Sequence, residues 1–210
     1  KITAQELYEY YLNVIKNDIV DIFVLGDIDN DEVKGLVDKY FRINTNIKGH
    51  ESHFYEHSNI NNEIKFVSEK ADKEQSTLVV GFKMSNLTDF EKRYVLSVYN
   101  YILGGSTESN LFKTVREKNS LCYYITSSSQ PLLNVGLIRS GINACDYEAT
   151  ISLINQELNN MRNGIFDDLK ISNAKTTYIS GLTELEDNPD SIIGIYASME
   201  YLDADVAVSK

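Results

Sequence analysis

Cysteine is scarce in this sequence, and long hydrophobic runs are absent from it. The 210 residues include two cysteines, Cys122 and Cys145, which are not spaced as a Cys-x-x-Cys pair. Isolated cysteines are typical of free thiols in a reducing compartment, so we predict a cytoplasmic protein without a disulfide framework. The longest apolar stretches, Ile19–Leu25 and Ile192–Met199, are interrupted or far shorter than the roughly 20 residues that cross a bilayer, so no membrane partner is expected.

Positive charge is also in short supply. Lys and Arg number 20 against 31 Asp and Glu, which gives a formal net charge of -11. Such a surface repels phosphate backbones, so we expect no nucleic-acid partner. The first residues carry an acid where a signal peptide has a basic stem and an apolar centre, which gives no support for secretion. Because the chain opens inside a helical pattern and without an initiator Met, we expect a fragment of a longer protein.

What the sequence does contain is typical of a globular protein. Hydrophobic residues make up 42% of the chain and charged residues 24%, and a chain of this length can fold without a metal or a disulfide. Helical spacing after Thr3, a β-branched strand over Ile19–Leu25 and a second helix capped by Asp29 and Asp31 predict a helix, strand and helix in succession. We assign residues 1–42 to the closing unit of a preceding domain and the polar residues 43–62 to a linker.

Residues 63–210 are predicted to form a second domain. Strand patterns occupy 66–69, 76–84, 123–129 and 135–144, and the last two are expected to pair in antiparallel fashion. Helices are expected to begin near Asp89, Ser109, Asp146, Asp167 and Pro189. The predicted fold class is α+β, a two-layer sandwich in which long helices pack on one face of a mainly antiparallel sheet.

Residues 53–57 match the zinc-peptidase pattern H-x-x-E-H. On a helix, His53 and His57 would share one face and could hold zinc, while Glu56 could deprotonate a metal-bound water. The surrounding sequence is polar and offers no apolar stripe that would dock such a helix. The third ligand of that class is a Glu further along the chain, and the corresponding window 127–137 contains no carboxylate. We therefore interpret the histidines as linker residues and predict no metal or cofactor site in this chain.

A longer motif lies at residues 103–123, which read LGGSTESNLFKTVREKNSLCY. It resembles the pattern L-G-G-x-x-x-S-R-L-F-x-x-V-R-E-K-x-G-L-x-Y of the insulinase- and pitrilysin-type zinc metallopeptidases, a family that includes the mitochondrial processing peptidase. The chain departs from the pattern at Asn110, where Arg is frequent, and at Ser120, where Gly is usual. Three further segments within residues 22–82 are similar to the same family, so the resemblance covers nearly the whole chain.

The resemblance implies an insulinase-like fold and a chain that contains most of the family's non-zinc domain. In that family, one half binds zinc and a facing half supplies an Arg and a Tyr that hold the substrate backbone across a closed chamber. The motif places these two side chains at Arg116 and Tyr123, which are the predicted substrate-binding residues. A guanidinium and a phenol can donate hydrogen bonds to a peptide carbonyl as negative charge develops on it. The alternative is that Arg116 pairs with a neighbouring acid and Tyr123 is a core strand residue.

The function implied by the resemblance is that of a non-catalytic, substrate-binding domain or subunit of a zinc metallopeptidase. Its partners would be a peptide or unfolded polypeptide and a zinc-bearing half, in the same protein or in a partner subunit. No catalytic residue is expected in this chain, which should not hydrolyse peptides alone. An alternative from a different class is an inactive family member that acts as a structural or assembly subunit. An H-x-x-E-H helix ahead of this chain in the full-length protein would favour the first hypothesis.

Overall fold

The structure is a computed structural model that describes residues 2–18, 20–41, 63–88, 90–130 and 133–202. The chain forms two compact units. The first takes the described residues of 1–53 and 183–210, and the second takes those of 54–182. The division into a closing unit, a linker and a second domain stays a prediction, because the linker at 43–62 lies outside the described residues.

The first unit contains helices at both ends of the chain. They are α1 (Ala4–Asn17), α2 (Asn30–Tyr40) and α6 (Pro189–Leu202). Thr3 caps α1, since its hydroxyl accepts a hydrogen bond from the Glu6 N–H and the Glu6 carboxylate accepts one from the Thr3 N–H. Asp29 caps α2 by accepting from the N–H groups of Asp31 and Glu32. The caps at Thr3 and Asp29 agree with the sequence prediction, because side-chain oxygens satisfy the orphan donors of a first helical turn. Asp31, the second predicted cap, instead lies in the first turn of α2, where its N–H donates to Asp29.

The strand predicted at Ile19–Leu25 is not found in the described structure. Residues 20–25 connect α1 to α2 without pairing to another strand, and Val24 and Leu25 are exposed. A strand is stabilised by the backbone hydrogen bonds of a ladder, and every strand that the structure describes lies in the second unit. The β-branched composition marks a strand-forming segment, but no pairing partner for it lies among the described residues.

The second unit is built on a three-stranded antiparallel sheet. Its strands are β1 (Ser76–Lys83), β2 (Cys122–Gln130) and β3 (Val135–Ile142), in the spatial order β1-β3-β2. The predicted antiparallel pairing of the last two strands is confirmed. The strand predicted at 66–69 is wrong, since these residues join no described strand. The Phe66 ring, 70% exposed, instead meets the Tyr147 ring edge-on at 6.0 Å between centroids.

Along the chain, helices lie between β1 and β2 and again after β3. They are a π-helical turn (Glu91–Val95) leading into α3 (Leu96–Leu103), a π-helix (Phe112–Lys118), α4 (Tyr147–Arg162) and α5 (Asp168–Asp187), whose residues 183–187 are assigned to the first unit. The predicted cap Asp89 lies outside the described residues, and its neighbour Thr88 forms a capping box with Glu91. Helix α4 ends at Arg162 with Asn163 as its C-cap, and the next residue, Gly164, has the left-handed φ of +69° expected of the glycine that the sequence predicts to terminate this helix.

The core lies between these helices and one face of the sheet. Leu103 and Val115 are fully buried beside Ile125 of β2 and Ile138 of β3. Burying a side chain of this size stabilises the fold by roughly 1.5–3 kcal/mol. The helices and the sheet form two layers, which confirms the predicted α+β class. The opposite face of the sheet carries exposed side chains such as Val79.

Candidate substrate-binding site

Arg116 lies in the π-helix Phe112–Lys118. Leu111 and Val115 anchor this helix in the core, while the Arg116 side chain is exposed. The central carbon of the guanidinium lies 4.7 Å from the centre of the Phe112 ring, four residues earlier. A cation–π contact of this kind contributes about 0.5–1 kcal/mol at an exposed site. The ring therefore restrains the guanidinium without neutralising its charge.

No carboxylate among the described residues pairs with Arg116. Two acids beside the helix, Glu108 and Glu117, each lie 3.1 Å from the ammonium of Lys113. Hydrogen bonds with Glu117 and Glu108 raise the pKa of Lys113. Lys113 thus takes up the local negative charge, and the guanidinium of Arg116 keeps its donors available. The alternative in which Arg116 pairs with a neighbouring acid is not observed in the described part of the chain.

A tight turn leads from Arg116 towards Tyr123. The N–H of Ser120 donates to the Arg116 carbonyl, and the N–H of Leu121 donates to the Val115 carbonyl, both at 3.0 Å. Ser120 has a φ of +54°, in the left-handed region that costs an L-residue free energy. This is the position at which the family motif has Gly. The departure at Ser120 therefore changes the residue but keeps the turn.

Replacing Ser120 by Gly should stabilise the domain by about 0.5–1 kcal/mol, because Gly adopts this φ without the steric cost of a Cβ. Thermal unfolding of the full-length protein should show a rise in Tm of roughly 1–4 °C. Ser120→Ala is the matched control, since it removes the hydroxyl and retains the Cβ. An equal rise in both variants would show that the left-handed backbone is not what limits stability here.

Tyr123 occupies a β-bulge at the start of β2. Cys122 pairs with Ile142 and Tyr124 with Gly141, so Tyr123 is an extra residue without a cross-strand partner. Bulges redirect side chains and are over-represented next to functional sites. The Tyr123 side chain is 57% exposed, so it is not the core strand residue of the alternative interpretation.

The thiol of Cys122, at the start of β2, has a shifted pKa. Burial raises the pKa of the Cys122 thiol, while a hydrogen bond with Ser140 and the positive charge of Arg116 act in the opposite direction. The thiol is therefore neutral at pH 7 and is a poor nucleophile.

The turn at Gly104 fixes the outer edge of β2. This strand lies at the edge of the sheet, and its Ser127 N–H donates to the Gly104 carbonyl at 3.1 Å. The Ser127 hydroxyl donates to the Asn100 carbonyl at 3.1 Å, and the Asn100 amide donates to the Ser129 hydroxyl at 2.9 Å. A Cβ on Gly104 would lie 2.7 Å from the Ser127 nitrogen, so the close approach requires Gly. The first Gly of the motif thus joins the end of α3 to the strand that carries Tyr123.

Buried polar contacts hold the π-helix against α4. Glu157 of α4, 7% exposed, accepts hydrogen bonds from the Thr114 hydroxyl at 2.8 Å and from the Asn160 amide at 3.2 Å. Just before the π-helix, the Asn110 amide oxygen accepts from the Lys170 ammonium of α5 at 2.6 Å. Asn110 is the second departure from the family motif, and Lys170 places a positive charge beside the position where the motif has Arg.

Sequence reasoning identified Arg116 and Tyr123 but missed the groups that support them. The spacing of Phe112 and Arg116, four residues apart on a helix, would have indicated their contact. The hydrogen bond between Thr114 and Glu157 joins residues 43 apart in the sequence, so it leaves no local signal. The bulge at Tyr123 depends on the register of the partner strand and is equally invisible in a single segment.

Neither a metal site nor a membrane-spanning helix is found among the described residues. No group of three or more His, Cys, Asp or Glu side chains lies close enough together to hold a metal ion. His53, Glu56 and His57 fall outside the described part of the chain. None of the described helices is long and apolar enough to cross a membrane. The cytoplasmic location stays a prediction from the sequence.

Known proteins resemble this chain in both sequence and structure. A family model described as "Peptidase M16 inactive domain" matches residues 1–178. The "Probable inactive metalloprotease YmfF" of Bacillus subtilis is 33% identical over 189 residues, which cover 89% of this chain and 43% of that protein. A conserved protein from Enterococcus faecalis superposes with a TM-score of 0.81 at 30% identity, over 97% of this chain and 47% of that one. A protease from Helicobacter pylori superposes with a TM-score of 0.70 at 17% identity, over 97% and 50%.

These matches agree with the motif at residues 103–123. The chain spans half or less of the length of each of these three proteins. The family model, by contrast, extends over most of this chain, and the site helix, its turn and the bulged strand all lie within the matched residues. The resemblance to the insulinase- and pitrilysin-type metallopeptidases is thereby confirmed, and the chain belongs to the Peptidase M16 inactive domain family.

Proposed function

We propose that this chain is the non-catalytic, substrate-binding wall of a zinc metallopeptidase chamber. The observation that carries the proposal is the pair formed by Arg116 and Tyr123, an exposed guanidinium and an exposed phenol joined by one tight turn. Neither side chain is part of the core, and no described carboxylate pairs with Arg116. Both side chains are therefore accessible to a polypeptide.

The side chains of Arg116 and Tyr123 can donate hydrogen bonds to a peptide carbonyl. The guanidinium of Arg116 can only donate hydrogen bonds, and the phenol of Tyr123 can donate one. Donors aimed at a carbonyl oxygen bind it more strongly as it gains negative charge, provided that they are held in position beforehand. The Phe112 ring and the Thr114–Glu157 hydrogen bond restrain the helix and the guanidinium in this way. These contacts support a role in binding and orienting a substrate backbone.

Catalysis would reside outside this chain. The chain covers 43% of the Bacillus subtilis relative and 47% of the Enterococcus faecalis protein, so a whole family member is at least twice as long. We place the zinc in the remaining half of the protein or in a partner subunit, where it would activate the attacking water. The residues described here would hold the peptide against that half, and this chain alone would not hydrolyse peptides.

The alternative function is structural. The Bacillus subtilis relative is described as a probable inactive metalloprotease, which supports an inactive member. An inactive member would serve in assembly. In that case Arg116 and Tyr123 would contribute to the surface without binding a peptide. The two functions differ in whether the full-length protein binds an unfolded polypeptide through these residues.

Binding of an unfolded polypeptide to the full-length protein tests the proposal. Fluorescein-labelled unfolded casein serves as the probe, and treatment of the protein with EDTA prevents cleavage while fluorescence anisotropy is recorded. We expect the double variant Arg116→Ala/Tyr123→Phe to bind about tenfold more weakly, because it loses two donors, one of them charged.

Lys118→Ala is the matched control for this experiment. It removes an exposed cation from the same helix and leaves Arg116 in place, so it should bind casein as the wild type does. Circular dichroism checks that all variants are folded. Unchanged affinity in a folded double variant would overturn the substrate-wall role and favour the assembly role.

A further inference from the structure

The second face of the sheet, opposite the helices, is formed by strands that contain no acidic residue. We call this the open face; its side chains alternate with the buried ones along each strand. The strands β1, β2 and β3 contain no Asp or Glu at any position. The whole chain, by contrast, has 31 acids and a net charge of -11. The strand residues that form the open face therefore carry no negative charge, although the protein as a whole is strongly acidic.

Arg139 lies at the centre of the open face. It belongs to the middle strand β3 and pairs with Val79 of β1 on one side and Thr126 of β2 on the other. Its sequence neighbours Ile138 and Ser140 are buried, whereas Arg139 is exposed. No carboxylate among the described residues pairs with its guanidinium. A central arginine without a described counter-ion can receive a carboxylate through two parallel hydrogen bonds.

An aromatic ring flanks this arginine. Gly141 follows Arg139 by two residues, which places it on the same face about 7 Å away. A Cβ at Gly141 would lie 2.6 Å from Cε1 of Tyr124, so the Tyr124 ring covers this glycine. Tyr124 directly follows the bulged residue Tyr123. The open face thus extends from the candidate substrate-binding site to Arg139 by way of an aromatic surface.

We propose that the open face binds an acidic side chain of an extended polypeptide, with Arg139 as the group that receives the carboxylate. The inference rests on the proposed function, since it adds a preference for acidic segments to the same polypeptide-binding surface. Charge complementarity carries it, because the strands offer a central guanidinium and no acid. The hydroxyl of Thr126 and the ring of Tyr124 on β2 and the side chain of Val79 on β1 supply neutral surroundings for the charge.

Two matched peptides test this preference in the full-length, EDTA-treated protein. Both are labelled with fluorescein, about ten residues long and amidated at the C-terminus; one alternates Thr with Glu and the other Thr with Gln. We expect the wild type to bind the Glu peptide about tenfold more tightly. In Arg139→Gln this preference should disappear while affinity for the Gln peptide stays unchanged. Arg139→Glu should reverse the charge preference and favour a Thr-Lys peptide of the same length.

Control experiments distinguish a failure of this inference from a failure of the proposed function. Lys118→Gln, an exposed cation outside the strands, should keep the preference for the Glu peptide. A preference that survives in Arg139→Gln, or equal binding of both peptides by the wild type, would overturn the inference and leave the proposed function intact. Tighter binding of a Gln peptide with a free C-terminus, without a gain for the Glu peptide, would overturn the choice of a side-chain carboxylate. Absence of binding to either peptide and to casein would overturn the proposed function itself.

Discussion

Replacing Arg116 by Ala in the full-length protein should lower its turnover of fluorescein-labelled casein by about 30- to 1,000-fold. This corresponds to about 2–4 kcal/mol of transition-state stabilisation, the usual contribution of a donor to a developing oxyanion. Tyr123→Phe removes only the phenol hydroxyl and should lower turnover within the same range. The loss should appear in kcat as well as in kcat/KM, because the hydrogen bonds strengthen as charge develops on the carbonyl.

Controls for this prediction address zinc and folding separately. Zinc content measured by mass spectrometry should be unchanged, since the two side chains are exposed and lie outside the core. The Tm of Arg116→Ala should fall by no more than roughly 1–4 °C, because this variant loses the contact with the Phe112 ring, worth about 0.5–1 kcal/mol. The Tm of Tyr123→Phe should be unchanged. Lys118→Ala should turn casein over at the wild-type rate. Full activity in the double variant of Arg116 and Tyr123 would contradict the assignment of both residues.

Gly104→Ala should destabilise the domain by about 2–4 kcal/mol. The added Cβ would lie 2.7 Å from the Ser127 nitrogen and 3.0 Å from its Cβ. Because the first of these is a backbone atom of a paired strand, it cannot move away as a flexible side chain would. The variant combines an overpacking cost of about 1–3 kcal/mol with the weakening of the Ser127 N–H to Gly104 carbonyl hydrogen bond, worth about 1 kcal/mol. Thermal unfolding of the full-length protein should show a Tm lower by about 5–15 °C.

Gly81→Ala is the matched control for Gly104→Ala. A Cβ at Gly81 would meet Cδ2 of Leu137 at 3.6 Å, which is an ordinary van der Waals contact. We expect the free energy of unfolding to change by less than about 0.5 kcal/mol in this variant. A similar loss of stability in both variants would show that any Cβ on a glycine of this domain is harmful and that the approach of Gly104 to β2 is not special.

Local patterns predicted most of the fold. The caps at Thr3 and Asp29 and the left-handed Gly164 after α4 are each determined by a few neighbouring residues, so the sequence reveals them. The strands β2 and β3 were predictable because they are consecutive in the sequence and pair with each other. The segments at 19–25 and 66–69 have strand-like composition but join no described sheet. Strand formation depends on a partner far away in the sequence, and composition alone does not supply one.

The candidate site was predictable in its residues but not in its geometry. Arg116 and Tyr123 came from a motif, and the structure places them at an exposed helix position and an exposed bulge. The alternation of strand β3 would have indicated that Arg139 faces away from the buried Ile138, yet it gave no information on the charge of its surroundings. That property appears only when the register places three strands without acids side by side.

The direction in which the Arg116 side chain points depends on the number of residues in the π-helix. A π-helical turn holds one residue more than an α-helical turn, and each residue of an α-helix rotates the next by about 100°. Leu111 before the segment and Val115 in its middle are buried in the core, and Leu121 after the segment packs against the core. If one residue were deleted from the π-helix, the segment could connect the same neighbouring elements as an ordinary α-helix. A different side chain would then point towards β2. A single-residue deletion could therefore abolish the site while preserving every residue that defines it.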